Sequence, residues 1–355
     1  QMCIRDSRGD LYGAGDVDVT VRDSLDNQGS LVAGQTLQVR GRTLRSEGEL
    51  GSERGNVQLS SDQALVLGGR TLAAGTLTAH AGGSLEQSGK VFAQQGVVLS
   101  ADAGVTLKGT IDSAADLQVR SDGDLDNQAA LFASGALSLQ AAQALRTAAD
   151  VQARTVTLQA AQASNRGRVL ASGDIEVRAG QIDNSGVIVA GLLADGKVGS
   201  TGSVTLDARQ QLRNAGQINA GQQVHLLGDS LLLEGGQVWS GGTLLAQARS
   251  GEWRNTGGSL TAISLLDLRA TDLLRNAGSL QGTRIGLLAA ALDNSAGELL
   301  QTGTDPFELS LSGALRNTGG RIAANAGNVH LRAAQLLNQG GRIEHAGTGV
   351  LKIET

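Results

Sequence analysis

The side chains able to do acid–base, nucleophilic or metal chemistry are few in this 355-residue chain, and they are scattered. Its four histidines are His80, His225, His330 and His345. His225 and His330 hold the same outward place in a repeated phrase about five repeats apart, which at ~4.8 Å per stacked repeat separates them by roughly 24 Å. That is too far to share a metal ion. The acid pairs Asp16 with Asp18 and Asp122 with Asp124 have the residue types of a two-carboxylate glycosidase. They fall where the chain turns, so they read as solvated turn residues. No GGxGxD calcium repeat, Walker loop, nucleophile elbow or His-Glu-x-x-His is written along the chain. The expectation is a chain with no catalytic residue, no metal and no cofactor, and the question becomes what the repeats build.

The phrase LDNQGSLVAGQTLQV at 25–39 returns as LDNQAALFASGALSL at 125–139, LRNAGQINAGQQVHL at 212–226 and LRNTGGRIAANAGNVHL at 315–331. A unit of about twenty residues is one coil of a stack, and such a stack has no upper size because each coil touches only its neighbours. Inside the first full copy Leu25 and Asn27 face one way and Asp26 the other. Leu31 and Ala33 likewise alternate with Ser30 and Val32, and Leu37 and Val39 with Thr36 and Gln38. Three alternating runs are three short strands, and the Asn and Gly between them suit tight corners. Three strands and three corners make one triangular coil, which predicts an all-β fold, a parallel β-helix solenoid of about sixteen coils and roughly 75 Å at ~4.8 Å per coil. The chain has one proline, Pro306, as befits internal strands that must donate to neighbours on both sides.

The apolar residue opening each coil is read as Leu25, Leu44, Leu65 and Leu85, on through Ile182 and Leu212 to Leu233, Trp253, Leu315 and Leu337, with Trp253 replacing a leucine in the core. Leu131 and Ile218 are predicted to point inward, Gln38 and Thr261 outward. Residues 8–355 read as a single repeat domain with a loop insertion near 191–203, while QMCIRDS at 1–7 fits no part of the repeat and reads as a non-native linker. Asparagine recurs at one inward corner position: Asn27, Asn127, Asn165, Asn184, Asn214, Asn255, Asn276, Asn294, Asn317 and Asn338. Stacked amides there bond from coil to coil and fix register, a structural ladder rather than a ligand site. On the outer surface one column of positions, running Val32, Gly51, Ala73, Phe92, Asp112, Phe132, Gln152, Leu170, Val189, Asn219 and Trp239, holds three of the six aromatics. Phe92, Phe132, Leu170, Val189 and Trp239 are the candidate contact face, for a second filament, a glycan stacking on Trp239 or a partner domain.

Net charge is −5 with both signs interspersed, and no basic stripe or aromatic platform marks a nucleic-acid binder. No apolar run of eighteen or more residues and no secretory signal is present in these residues, and coils continue to Ile353, which reads as a fragment. Apart from Cys3 the chain is cysteine-free, compatible with export.

The phrase in LRNTGGRIAANAGNVHL (315–331) and LNQGGRIEHAGTGVLKI (337–353) resembles the haemagglutinin repeat of filamentous haemagglutinins and contact-dependent growth inhibition proteins, large exoproteins of two-partner secretion in Gram-negative bacteria. The resemblance implies a right-handed β-helix, exported unfolded through an outer-membrane transporter and folded at the cell surface. It implies a secreted, surface-exposed shaft, a monomeric rod within a longer chain that meets a cell-surface receptor or glycan. No secretion, toxin or adhesive domain is read in these residues, so adhesion and toxin delivery stay open. Polysaccharide lyases and hydrolases are the alternative users of β-helices, but their acids and bases converge where repeat regularity breaks. Here it breaks at 191–203 and 302–310, with few carboxylates at either. Arg8-Gly9-Asp10, a tripeptide some adhesins show to integrins, abuts the linker and reads as a chance match.

Overall fold

The computed structural model describes residues 9–355, which form two compact units dividing between Leu170 and Ala171. The linker reading of 1–7, and Arg8 of the tripeptide, lie outside the described residues. Among the described residues no helix is long and apolar enough to cross a membrane. The chain is all-β, a parallel β-helix of about 17 turns. The turn beyond the expected sixteen holds Leu11–Gly13 and Val17–Thr20, whose Leu11 and Val17 pair in register with Leu31 and Leu37. It was hidden because no Leu-x-Asn phrase announces it.

In the first unit a coil is an opening strand, a second strand and a third strand, such as Ser24–Asn27, Ser30–Ala33 and Leu37–Gly41. Each pairs in parallel with its counterpart one coil along, so like stacks on like. Leu37, Val57, Leu77, Val97, Leu117 and Leu137 form one buried column on the third face. Branched side chains suit such strands because they pack against neighbours on the pleat, and burying each contributes about 1.5–3 kcal/mol. Leu131 is buried and Gln38 half-buried, in keeping with the alternation.

The second unit uses the same three faces but runs some strands through the corners. Ser203–Asn214 covers a third and an opening face, and Trp253–Arg269 and Leu273–Leu288 each cover all three, with register shifts between Thr256 and Ser259 and between Ala262 and Leu265. Ile218 is fully buried and Thr261 half-buried. Trp253 is core, its indole N–H donating to the Ala246 carbonyl at 3.0 Å. Between the strands Val187–Ala190 and Ser203–Asn214 the segment 191–203 folds on itself through an antiparallel bridge between Leu192 and Val198, and Ile182 still pairs with Leu212.

Three positions differ from the sequence reading. Leu231, not Leu233, pairs with Leu212 and Trp253, and Leu336, not Leu337, pairs with Leu315. On the second face Leu72, not Ala73, pairs with Gly51 and Phe92. Runs of consecutive apolar residues carry no alternation, so their phase is settled only by neighbouring coils.

Candidate functional site

The asparagines sit where the opening strand meets the corner. In the second unit Asn255 Nδ2 donates to Asn276 Oδ1 at 2.8 Å, Asn276 to Asn294 at 2.8 Å, Asn294 to Asn317 at 2.8 Å and Asn317 to Asn338 at 2.7 Å. Each amide also donates to the carbonyl of a corner glycine in its own coil, as Asn294 does to Gly297 and Asn317 to Gly320. Asn184 donates to Asn214 at 2.7 Å, and there the row stops, because Leu233 holds the next place. Asn255 Oδ1 is consequently buried without a donor.

Corner shape explains why the residue after next is so often glycine. Gly257, Gly319 and Gly340 have φ of 69°, 64° and 64°, in the left-handed region that costs a side chain about 1–2 kcal/mol. Ala296 takes the same role at φ 57°.

In the first unit the same inward position reads Asn27, Ser46, Leu67, Gln87, Leu107, Asn127, Thr147 and Asn165. Asn27 donates to Ser46 Oγ at 3.0 Å, and Thr147 Oγ1 to Asn165 Oδ1 at 2.8 Å. Gln87 lies between Leu67 and Leu107 and Asn127 between Leu107 and Thr147, and both find partners only within their own coil, Gln87 at the Gly89 carbonyl and Asn127 at the Ala129 N–H.

The candidate contact face divides between the units. Phe92 and Phe132 are two coils apart with the exposed Asp112 between them; Phe92 is half-buried and Phe132 is 42% exposed. Leu170, half-buried, closes the first unit, whereas Trp239, half-buried, and Val189 belong to the second. Val189 is a correction: at 8% exposure it is buried, in a strand whose last three residues are all buried and whose alternation is therefore lost. Sequence reasoning missed Tyr12, 60% exposed in the added first turn, which pairs with Val32 in this column and donates its hydroxyl to Glu53 at 3.3 Å.

One member of each acid pair does coil-to-coil work. Asp16 Oδ1 accepts the Thr36 N–H at 2.9 Å, and Asp124 Oδ1 accepts the Ala144 N–H at 3.0 Å while Oδ2 meets Arg146 at 3.1 Å. The backbone bond from Ala144, then Arg146, holds the Asp124 carboxyl below the usual range, and Arg168 does the same for Asp150. Asn56, Asp116, Asp174 and Asn328 make the equivalent bond to Thr76, Ala136, Ser203 and Val350. The signal was a short acceptor placed just before the first inward residue of a strand, as in Asp16-Val17 and Asp116-Leu117.

His80 Nδ1 lies 3.0 Å from Ser100 Oγ, and its Nε2 lies 4.0 Å from Asp102. These are the residue types of a nucleophilic triad, which needs a buried acid to orient the imidazole; Asp102 is exposed at the corner between the strands Gly96–Ala101 and Gly104–Leu107. Among the described residues no three His, Cys, Asp or Glu side chains are grouped to hold a metal ion. Along the opening face of the second unit Arg213 bridges Asp183 at 3.0 Å and Glu234 at 2.7 Å, and Arg254 bridges Glu234 at 3.4 Å and Glu252 at 3.5 Å.

The haemagglutinin-repeat model matches residues 7–69, 72–129, 128–197, 189–251, 239–319 and 289–353. The chain is 30% identical over 371 residues to a protein named Deoxyribonuclease CdiA from Dickeya dadantii (strain 3937), which covers 94% of this chain and 11% of that protein. It is 31% identical over 159 residues to Toxin CdiA from Yersinia pestis, covering 44% of this chain and 5% of that one. The chain thus spans only 11% and 5% of the length of these relatives. No solved structure matches it.

Proposed function

The chain belongs to the haemagglutinin-repeat family, and we propose that it forms part of the shaft of a secreted filamentous exoprotein of the toxin-delivering kind. In this reading the parent leaves the cell through an outer-membrane two-partner transporter and stands at the bacterial surface. One observation carries it: 94% of the chain aligns with a stretch making up 11% of a relative named for its deoxyribonuclease activity. The role of such a stretch is spacing. A coil contacts only its neighbours, so a shaft tolerates loss of a whole coil but not of half of one, which would put corner residues in the strands and strand residues at the corners.

The test is to place this segment in the shaft of a growth-inhibition exoprotein and delete residues 97–116, one coil by the pairing of Val97 with Leu117, or residues 97–106. The whole-coil deletion should keep surface display and target killing within about twofold, and the half-coil deletion should lose display. Lost killing with normal display of the whole-coil variant would overturn the spacer reading.

Phe92, Phe132 and Trp239 are the places where a cell-surface glycan would stack in this reading, since aromatic faces open to solvent suit sugar rings. Changing Phe92, Phe132 and Trp239 together to Ser should leave the circular dichroism of the segment unchanged and weaken retention on surface glycans. Unchanged retention by a folded variant removes the contact face and leaves a plain spacer.

A further inference from the structure

The three faces of the second unit are not equally continuous. On the third face, strand pairing runs through 244–247 and 266–269 to 285–288 and then stops. Phe307–Ser310, Val329–Arg332 and Leu351–Glu354 make a separate three-stranded sheet. The opening and second faces cross the same seam without interruption, Leu274 pairing with Leu292 and Leu280 with Leu299.

Corner length accounts for the gap. Between the inward ends of the second and third strands one coil has two residues, Thr283 and Arg284, while the next has the five residues of 302–306, including Pro306. The longer corner carries its third strand away from the shorter one. Backbone bonding resumes on either side of the slit, Gly303 N–H to the Thr283 carbonyl at 2.9 Å and Gly313 N–H to the Ala290 carbonyl at 2.8 Å. Between these points the lips are 285–289 and 307–311. Leu288 on one lip is 67% exposed, and Ala289 with Ser310, Leu311 and Ser312 forms one end of an open groove of about 830 Å³ that continues along 332–334 to Glu354 and Thr355.

A single side chain spans the slit. In regular coils the first inward N–H of a third strand donates to the carbonyl just before the next coil's third strand, as Leu37 does to Asn56 and Val97 to Asp116. By that rule Ile285 would bond the Pro306 carbonyl. It donates instead to Gln301 Oε1 at 3.0 Å, and Gln301 Nε2 donates to the Asp305 carbonyl at 2.6 Å. The Gln301 amide stands in for one peptide unit of the missing ladder. It is fully buried, at a position that its paired neighbours fill with Gly282 and Ala324.

We propose that this seam is a built-in yield point: the third face opens between 285–289 and 307–311 while the other two faces stay paired, with Gln301 as the latch. Local opening is drawn from regions with few buried contacts and exposed backbone, and this is where one of three ladders is replaced by two side-chain bonds. Opening frees the Ile285 N–H and uncovers Phe307, which is buried when the slit is shut, so the stack gains a flexing joint without losing register.

Hydrogen exchange of the unmodified chain tests the joint directly. Amides at 285–288 should exchange at least about ten-fold faster than those at 244–247 on the same face, and equal rates would overturn the proposal. Gln301→Leu, which keeps volume and removes the amide, should accelerate exchange at Ile285 by a further ten-fold or so and leave 244–247 unchanged. Gln301→Leu that slows exchange at Ile285, or changes both segments alike, would show that the amide is no latch. Should that variant not fold, the comparison within the unmodified chain still decides.

Discussion

Five consecutive coils of the second unit place an asparagine at the end of the opening strand, from Asn255 to Asn338, whereas the first unit fills the same position with Asn, Ser, Leu, Gln and Thr. The unpaired buried amide atoms follow this difference. In the first unit Asn27 Oδ1, Gln87 Oε1 and Asn127 Nδ2 lack partners, one for each amide set beside a leucine or at a row's end; in the ladder the orphan is Asn255 Oδ1, at its start. A buried polar atom without a partner costs about 1–3 kcal/mol. Stacking asparagines in sequence therefore moves the loss to one end, and scattering them repeats it.

The largest test of that contrast is Asn294→Leu against Asn127→Leu. The first removes the acceptor of Asn276 and the donor of Asn317 in mid-ladder and should cost about 3–4 kcal/mol in urea unfolding. Asn127→Leu removes an orphan beside Leu107 and should change stability by no more than about 1 kcal/mol. Equal costs would mean that the ladder has no advantage over isolated amides.

Leu233 offers the converse. Its coil already has the Leu-Glu-Gly-Gly corner with Gly235 at φ 74°, the form that follows Asn255 and Asn317. Leu233→Asn would accept from Asn214 and donate to Asn255 Oδ1, joining the two rows into one. Leu212→Asn, equally buried but off the ladder, should cost about 3 kcal/mol, and Leu233→Asn roughly 2 kcal/mol less. Matching losses in thermal melts would refute the joining.

What the sequence made legible was whatever repeats with a chemical mark. Period-two alternation around Leu131 and Ile218 exposed the strands, and asparagine exposed the corner, because each appears in many coils. Phase was lost wherever apolar residues run together, at Leu231–Leu233 and around Leu72, since alternation is the only local cue. Burial of Val189 was invisible because an outward position becomes covered only through what packs on it. Gln301 escaped notice although it is an amide at a small-residue position; one departure in one coil has no period to betray it, and its partner Ile285 is set by corner lengths in two coils.

Ala296 gives a smaller test within the ladder region. It holds φ 57° where other coils use Gly257, Gly319 and Gly340, so Ala296→Gly relieves about 1–2 kcal/mol of backbone cost and returns about 0.5–1 kcal/mol as glycine's extra entropy loss. A gain of roughly half a kcal/mol is expected, read as a raised melting temperature. The same change at Ala277, where no positive φ occurs, should destabilise.

The smallest effect is the pH dependence of the first unit. Asparagines do not titrate, but the first unit also uses Asp124 and Asp150, whose carboxyls are held low by the Ala144 N–H with Arg146 and by Arg168. A depressed folded pKa means that the stabilisation is complete above the unfolded value, near 3.9, and is lost as pH falls through the folded one. The window is therefore from about pH 4 downward. Asp124 and Asp150 side chains are 53% and 43% exposed, so solvent screening limits each to a few tenths of a kcal/mol. The double variant Asp124→Asn, Asp150→Asn keeps an acceptor at both places without the charge. Between pH 7 and pH 3 the unmodified chain should lose roughly half a kcal/mol more unfolding free energy than this variant. Parallel pH curves for the two would show that these carboxylates act through hydrogen bonding alone and that charge adds nothing to the stacking of the first unit.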